Sequence, residues 1–179
     1  MEFTFTNGKI NDIVIIRTKR MSDSRGDFIK GYEQTPFSAF IKDQFLEDYI
    51  SVSNKNVLRG LHYQLEPKAQ GKLITVIAGK ILDVALDLRE KSETFGKYSM
   101  VELSESHYDS IWIPPGFAHG FLTLQDNSIV LNRCTNNFDV HLERGVLWND
   151  PFFHISWPME KPILSDKDKK WKPFSFIPQ

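Results

Sequence analysis

The chain has 179 residues, a formal net charge of −1, one cysteine and 41% hydrophobic residues, which predicts a single cytoplasmic domain over residues 1–179 without a disulfide. The near-zero charge argues against nucleic acid as a partner, because binding to phosphates needs a basic excess or a basic face. No apolar run approaches the roughly 18 residues of a membrane span, and the N-terminal segment lacks the pattern of a secretory signal.

Short apolar segments separated by turn residues recur along the chain and predict strands. They begin with an N-terminal strand and continue over residues 13–17, 57–63, 73–78, 80–88, 98–103, 110–113, 119–124 and 129–133. Gly79 divides the run LITVIAGKILDVALDL and predicts a tight hairpin. Helix is expected only over 36–45 and 165–171. Many short strands with little helix predict an all-β jelly-roll barrel that encloses one cavity.

The strand around VLRGLHYQ carries residues suited to chemistry. Strict alternation would place residues 59, 61 and 63 on one face and 58, 60 and 62 on the other. His62 then has Gly60 beside it, which leaves space for a ligand. Arg59 and Lys72 indicate an anion-binding or oxyanion-stabilising site near a neutral imidazole. The alternative is a histidine at a barrel rim or hydrogen-bonded within the core.

A second motif, WIPPGFAHGF, has the Pro-x-Gly-x-x-His pattern of the second motif of cupin jelly rolls. Metal-binding cupins carry two further histidines in their first motif, whereas this chain has only His62 there. Because His62 and His119 supply two imidazoles, short of the three or four ligands of a typical metal site, we expect no metal.

Beyond the fold, the blocks LRGLHYQ, QGKL, GKILDVALDLR, SETFGKY, WIPPGFAHGF, ERGVLWNDP and LSDKD together resemble the dTDP-4-dehydrorhamnose 3,5-epimerase family. They occur in the family's order from about Ser22 to Asp168. The resemblance implies an enzyme that inverts carbons beside the 4-keto group of a nucleotide-linked sugar. It also implies that no cofactor is used and that the product serves surface-polysaccharide synthesis.

The same resemblance implies roles for individual residues. His62 is the base, Asp168 its orienting carboxylate and Lys72 the support of the enolate oxygen. The substrate-binding residues by resemblance are Arg25, Arg59, His119, Glu143 and Lys167. Arg25 has an alternative as a surface turn residue, and Asp168 as part of a solvated charged run, DKDKK.

The chain departs from the family at the expected acid. Asn132 occupies the place of the acid tyrosine, and Phe138 that of a second common tyrosine. An amide cannot donate a proton to carbon at neutral pH, although it can bind a sugar hydroxyl. The hypothesis is therefore inversion at one carbon, preferably C3, with the returned proton coming from water or another side chain.

A second departure lies where family members that use a thymidine nucleotide usually show Gln-Asp-Asn. This chain has Glu47, Asp48 and Tyr49 there. Glu47 can accept from the N–H edge of guanine, and Tyr49 also changes the pattern facing the base. GDP-linked 4-keto-heptoses of capsular polysaccharides are thus candidate substrates. The alternative is a merely divergent strand.

Three further readings stay open. The first is a full 3,5-epimerase that acts on dTDP-4-dehydro-6-deoxyglucose. The second is a 3,4-ketoisomerase, and the third is a sugar-nucleotide binding homologue without activity. A homodimer is expected, because family members pair N-terminal strands across an interface. An exposed edge strand has unpaired backbone N–H and C=O groups that a second chain can bind. Arg25 would then reach the partner subunit's site.

Overall fold

Antiparallel strands make up most of the regular secondary structure in this computed structural model, which describes residues 3–174. The described strands are β1 (Phe3–Asn7), β2 (Val14–Thr18), β3 (Met21–Asp23), β4 (Gly26–Phe28), β5 (Glu47–Ser53), β6 (Leu58–Gln64), β7 (Lys72–Ala78), β8 (Lys80–Asp87), β9 (Tyr98–Ser104), β10 (Ser110–Ile113), β11 (Phe117–Thr123), β12 (Ser128–Cys134) and β13 (Glu143–Gly145). The helices whose bounds lie within these residues are α1 (Gln34–Phe37) and a 3-10 helix (Asp168–Lys170). No helix in this part of the chain is long and apolar enough to cross a membrane.

Two sheets face each other. One has six strands in the order β1-β2-β10-β7-β12-β5, and the other has five in the order β13-β6-β11-β8-β9. Strands β3 and β4 form a separate exposed hairpin. This arrangement confirms the all-β jelly roll, since sequential strands mostly pair with partners distant in sequence.

Apolar packing fills one end of the space between the sheets. Ile74 and Val76 of β7 join Ile81 and Ala85 of β8 in this core. Two other clusters cover the outer faces, one around Leu61 and Val84 and one around Phe37 and Trp112. Because β7 and β8 are covered on both faces, their apolar residues do not alternate cleanly.

All eight internal strands predicted from the sequence are present, with ends within two residues. The hairpin at Gly79 is wrong, however: β7 and β8 belong to different sheets. Gly79 has φ +79° and turns the chain from one sheet to the other, with Ser128 so close that an added Cβ would lie 2.9 Å from its Cα. A left-handed glycine is equally suited to a hairpin and to such a corner, so the local pattern could not separate them.

The helix expected over 36–45 is also wrong in extent, because α1 ends at Phe37. Phe37 packs edge-on against Phe3, Phe5 and Tyr32. Packing of these aromatic rings, rather than helix propensity, sets the path of this segment. The helix expected over 165–171 is reduced to the short 3-10 helix at Asp168–Lys170.

Candidate active site

A cavity of about 890 Å³ opens between the two sheets. One wall comes from β5, Lys72 and Asn132 of the six-stranded sheet, and the opposite wall from β6, β11 and Glu143 of the five-stranded sheet. The rest of the lining comes from Val57, Gln70, Phe138 and residues 163–165, 167 and 168. This volume lies within the range of roughly 300–1,000 Å³ that is typical of small-molecule sites.

Ten of the eleven residues that the sequence indicated line this cavity. They are His62, Asp168, Lys72, Arg59, His119, Asn132, Glu143, Lys167, Glu47 and Tyr49. Arg25 does not: it lies at the tip of the exposed β3–β4 hairpin, where its guanidinium pairs with Asp23 at 2.6 Å. The cationic cluster in the cavity of one chain therefore consists of Arg59, Lys72 and Lys167.

His62 and Asp168 form a dyad, with 2.6 Å between His62 Nε2 and Asp168 Oδ1. Burial alone would raise the pKa of Asp168, but the hydrogen bond and charge of His62 outweigh it and hold that pKa below its ordinary value. The carboxyl is therefore ionised and accepts the proton of Nε2. Nδ1 is left as the nitrogen that can take a proton from a ligand.

Several groups hold the Asp168 carboxylate in place. Trp171 Nε1–H donates to Oδ1 at 3.3 Å, and the backbone N–H of Gly60 donates to Oδ2 at 3.5 Å. The Trp171 ring lies against Gly145, where a Cβ would collide with it. Trp171 was not anticipated from the sequence; it acts through Asp168 as a positioning residue.

A β-bulge in β6 brings Arg59 and His62 to the same cavity, which corrects the strict alternation expected from the sequence. The pairing with β11 shifts between His119↔His62 and Phe121↔Arg59. Gly60 lies at the shift with φ +120°, and an added Cβ there would come within 2.6 Å of Gly120 Cα. One extra residue between the two side chains reverses their relative orientation.

Lys72 extends from β7 into the cavity and is only 7% exposed. Burial lowers the pKa of its ammonium from the ordinary value of 10.5, and the neighbouring Cys134, Glu143 and Glu47 offset only part of that effect. Among residues 3–174 no carboxylate forms an ion pair with it. A desolvated ammonium without such a partner is suited to a negative charge on a ligand.

His119 belongs to a second histidine–carboxylate pair, with 2.7 Å between its Nε2 and Asp83 Oδ2. Both side chains are buried. Asp83 was not anticipated, although a carboxylate within the apolar run of β8 requires a buried partner and so was detectable in principle. His62 and His119 are directly paired in register, but each Nε2 contacts its own carboxylate. The part of the chain that is described contains no cluster of three metal-ligating side chains.

The remaining polar groups lie around the cavity wall. Lys167 Nζ pairs with Glu143 Oε1 at 2.7 Å. Glu47 Oε2 accepts the backbone N–H of Phe138, which leaves Oε1 for a ligand. Asn132 is buried, and its amide donates to Val130 O at 3.4 Å. The cavity thus joins a histidine held by a carboxylate, a buried ammonium and several further polar side chains.

The chain is similar to known proteins over most of its length. The family model described as dTDP-4-dehydrorhamnose 3,5-epimerase matches residues 7–175. The dTDP-4-dehydrorhamnose 3,5-epimerase of Shigella flexneri is 45% identical, over 89% of this chain and 90% of that protein.

Two solved structures extend the comparison. A dTDP-6-deoxy-D-glucose-3,5-epimerase from Legionella pneumophila in complex with dTDP-4-keto-L-rhamnose has a TM-score of 0.94 at 37% identity, covering 99% of this chain and 95% of that one. A 3'-monoepimerase from Streptomyces bikiniensis in complex with dTDP-quinovose has a TM-score of 0.87 at 26% identity, covering 94% and 87%. The chain is therefore an isomerase of the epimerase class that belongs to the dTDP-4-dehydrorhamnose 3,5-epimerase family.

Proposed function

We propose that the protein inverts C3 of a nucleoside-diphosphate-linked 4-keto-sugar through an enolate, without a cofactor. The observation that carries the proposal is the placement of the His62–Asp168 dyad and the Lys72 ammonium on opposite walls of one cavity. The sugar is a 4-keto-6-deoxyhexose or a 4-keto-heptose, and the product serves surface-polysaccharide synthesis.

The 4-keto group acidifies the neighbouring C–H bond, but deprotonation also requires stabilisation of the resulting oxyanion. In the proposed step His62 Nδ1 takes the C3 proton, and the electron pair of the C–H bond moves onto the carbonyl oxygen. Lys72 stabilises that oxygen, while Asp168 stabilises the imidazolium. A proton delivered to the opposite face of C3 then completes the inversion.

We infer restriction to one carbon from Asn132, which leaves strand β12 without a tyrosine as proton donor for a second carbon. Its amide cannot serve as the acid, and a second inversion needs a further proton exchange at C5 with the sugar reoriented. The fold itself accommodates single inversion, since the structurally similar Streptomyces bikiniensis protein is a 3'-monoepimerase. The alternative, full 3,5-epimerisation of dTDP-4-dehydro-6-deoxyglucose, is favoured by the names of the family's curated members.

Two nucleoside diphosphates, dTDP and GDP, are candidates for the nucleotide part of the substrate. dTDP is favoured by relatives whose complexes contain dTDP-sugars. GDP is favoured by Glu47, which lines the cavity and whose Oε1, without a hydrogen-bond donor among residues 3–174, can accept from guanine. Separate calorimetric titrations with GDP and dTDP distinguish them.

The proposed function is tested by isotope exchange in D2O. The wild-type protein is incubated with dTDP-4-dehydro-6-deoxyglucose and, separately, with GDP-linked 4-keto-sugars. Deuterium is expected to enter C3 of one of these substrates, together with product of inverted configuration, as measured by NMR. Absence of exchange at both C3 and C5 with every substrate would contradict the proposal.

The same spectra separate the two other readings. A carbonyl found at C3 in the product would indicate a 3,4-ketoisomerase. Tight nucleotide-sugar binding without any exchange would indicate a binding homologue. The second of these is disfavoured by the buried Lys72 ammonium, since a protein that only binds gains nothing from desolvating a charge beside a base.

We infer that two copies associate along the edge formed by β1, as the sequence suggested. β1 lies at the edge of the six-stranded sheet with four of its five residues exposed, and the β3–β4 hairpin, which follows β2 in the chain, is exposed throughout. Such an edge presents unpaired backbone groups that another chain can cover. Arg25, 87% exposed at the hairpin tip, would then reach the partner's cavity.

Light scattering is expected to give twice the 20.8 kDa mass of one chain. Arg25→Ala should raise KM about tenfold without changing that mass, because it removes a charge-assisted hydrogen bond to substrate. A monomeric mass, or an unchanged KM in a dimeric variant, would contradict this assignment.

A further inference from the structure

Tyr49 and Asn132 are directly opposite each other on paired strands. Within the antiparallel β5–β12 ladder, Asn132 pairs with Tyr49 and Cys134 pairs with Glu47. Both Tyr49 and Asn132 line the cavity. The resemblance leads one to expect tyrosine at 132 and asparagine at 49, and this chain holds the same two residues in exchanged places. The phenol missing from β12 is thus present on the neighbouring strand.

The Tyr49 side chain lies beside Cys134, which follows Asn132 by two residues on the paired strand. Tyr49 is 42% exposed overall, whereas Cys134 is fully buried. Burial raises the pKa of the Tyr49 phenol well above its ordinary value, and the neighbouring Cys134 and Glu47 add to this rise. The resting side chain therefore carries its proton. Cys134 pairs in register with Lys72, so the phenol and the ammonium lie in the same part of the wall.

The position of Tyr49 relative to His62 suits proton delivery from the other side. Tyr49 belongs to the six-stranded sheet and His62 to the five-stranded sheet, and both line the cavity, so a sugar bound between the sheets would have one residue on each side. Inversion requires that the proton be removed from one face of the carbon and returned to the other. A base on one wall and an acid on the facing wall meet that requirement.

The second tyrosine of the cavity and the nearby thiol are less well placed as donors. Of the five tyrosines, only Tyr49 and Tyr63 line the cavity, and Tyr63 follows His62 on the same strand, so it lies on the base's side. The Cys134 thiol lies beneath the cavity surface, and burial raises its pKa to about 11. Neither residue offers an exposed proton on the wall opposite His62.

We propose that Tyr49 is the catalytic acid, which returns a proton to the carbon that His62 deprotonates. The enolate's carbon–carbon electron pair forms the new C–H bond with the phenol proton as the carbonyl at C4 is restored. Tyr49 is left as a phenolate and His62 as an imidazolium. Exchange of one proton with water at each group returns both to the resting state, so no other reactant is needed. From the sequence, Tyr49 was expected to contact the nucleobase of the substrate, and the present assignment replaces that expectation.

The inference rests on the proposed function, and Tyr49→Phe tests it separately. In D2O with the substrates named above, the variant should lose about 100-fold or more of its inversion rate. Deuterium should still enter the same carbon of the recovered substrate, because His62 can return a deuteron to the face from which it took the proton. A residue with a merely structural role would lower exchange and inversion together.

Tyr98→Phe is the matched control, since the Tyr98 hydroxyl lies outside the cavity and accepts the N–H of Ser156. It should preserve both rates. The proposal would be overturned by a Tyr49→Phe variant that keeps the wild-type inversion rate, or that loses exchange and inversion in equal proportion. Failure of the proposed function is recognised differently, since the wild-type protein would then show no exchange at all.

An exchange of the two residues provides a second test if Tyr49→Phe folds poorly. The double variant Tyr49→Asn with Asn132→Tyr places the phenol on the facing position of β12. We expect it to invert at least about tenfold faster than Tyr49→Asn alone. An inversion rate no higher than that of Tyr49→Asn would contradict the assignment.

Discussion

Replacement of His62 with asparagine is expected to lower the rate of deuterium exchange at the inverted carbon by about 1,000-fold or more. The amide can still donate a hydrogen bond to Asp168, but it cannot accept a proton from carbon. Because no diphosphate contact is removed, the Kd for the nucleotide should change little. Exchange is measured by NMR in D2O and nucleotide binding by calorimetry.

His107→Asn is the control, because His107 lies on the surface with 61% of its side chain exposed. It should leave both measurements unchanged. A His62→Asn variant that exchanges at the wild-type rate would show that another group is the base. Loss of nucleotide binding together with exchange would instead assign His62 to the integrity of the cavity.

Lys72→Met is expected to lower kcat by about 100- to 1,000-fold, because it removes the charge that stabilises the enolate oxygen. Methionine keeps a flexible side chain of similar length in the cavity. The free energy of unfolding should not fall, since replacing a buried charge that lacks an ion-pair partner by an apolar group is neutral or stabilising. The two readouts are steady-state kinetics and thermal denaturation. A variant that loses stability but keeps kcat would contradict the role of Lys72.

The same residue predicts an alkaline limit to the reaction. Burial lowers the pKa of Lys72, so its ammonium is lost at a pH below the ordinary 10.5 of a free lysine. Since only the charged form stabilises the enolate, kcat should decline as the pH rises through that lowered value. In Lys72→Arg, whatever activity remains should lack this decline, because the guanidinium stays charged. An identical alkaline limb in both proteins would assign it to another group.

Much of the fold could be predicted from local patterns, because strands covered by a core have a recognisable composition. Which strands pair with each other could not be predicted in this way. Gly79 shows this: its left-handed conformation is visible as a glycine between two apolar runs, but the choice between hairpin and corner depends on strands β10, β11 and β12. Non-local pairing of this kind leaves no mark in a short window of sequence.

In the site, too, some residues could be predicted from local patterns and others depend on contacts between distant parts of the chain. His62, Lys72 and His119 were found through motifs, because the chemistry restricts residue type and spacing. Asp83 was missed because a single carboxylate in an apolar strand does not indicate which residue elsewhere in the chain pairs with it, here His119. The shared orientation of Arg59 and His62 depends on a bulge that alternation ignores.

The relation between Tyr49 and Asn132 likewise depends on non-local strand pairing and could not be predicted from the sequence. The two residues are separated by many strands in sequence, and only the register of β5 against β12 makes them neighbours. From sequence alone, Asn132 signified a lost acid. With the register known, it marks a position beside a phenol.

The most direct test of a single inversion is the number of deuterium atoms in the product formed by the wild-type protein in D2O. Mass spectrometry and NMR on the purified product give that number and the configuration at each carbon. We expect one deuterium, at C3, with inverted configuration there and the original configuration at C5. Two deuterium atoms with inversion at both C3 and C5 would contradict restriction to one carbon and identify a full 3,5-epimerase.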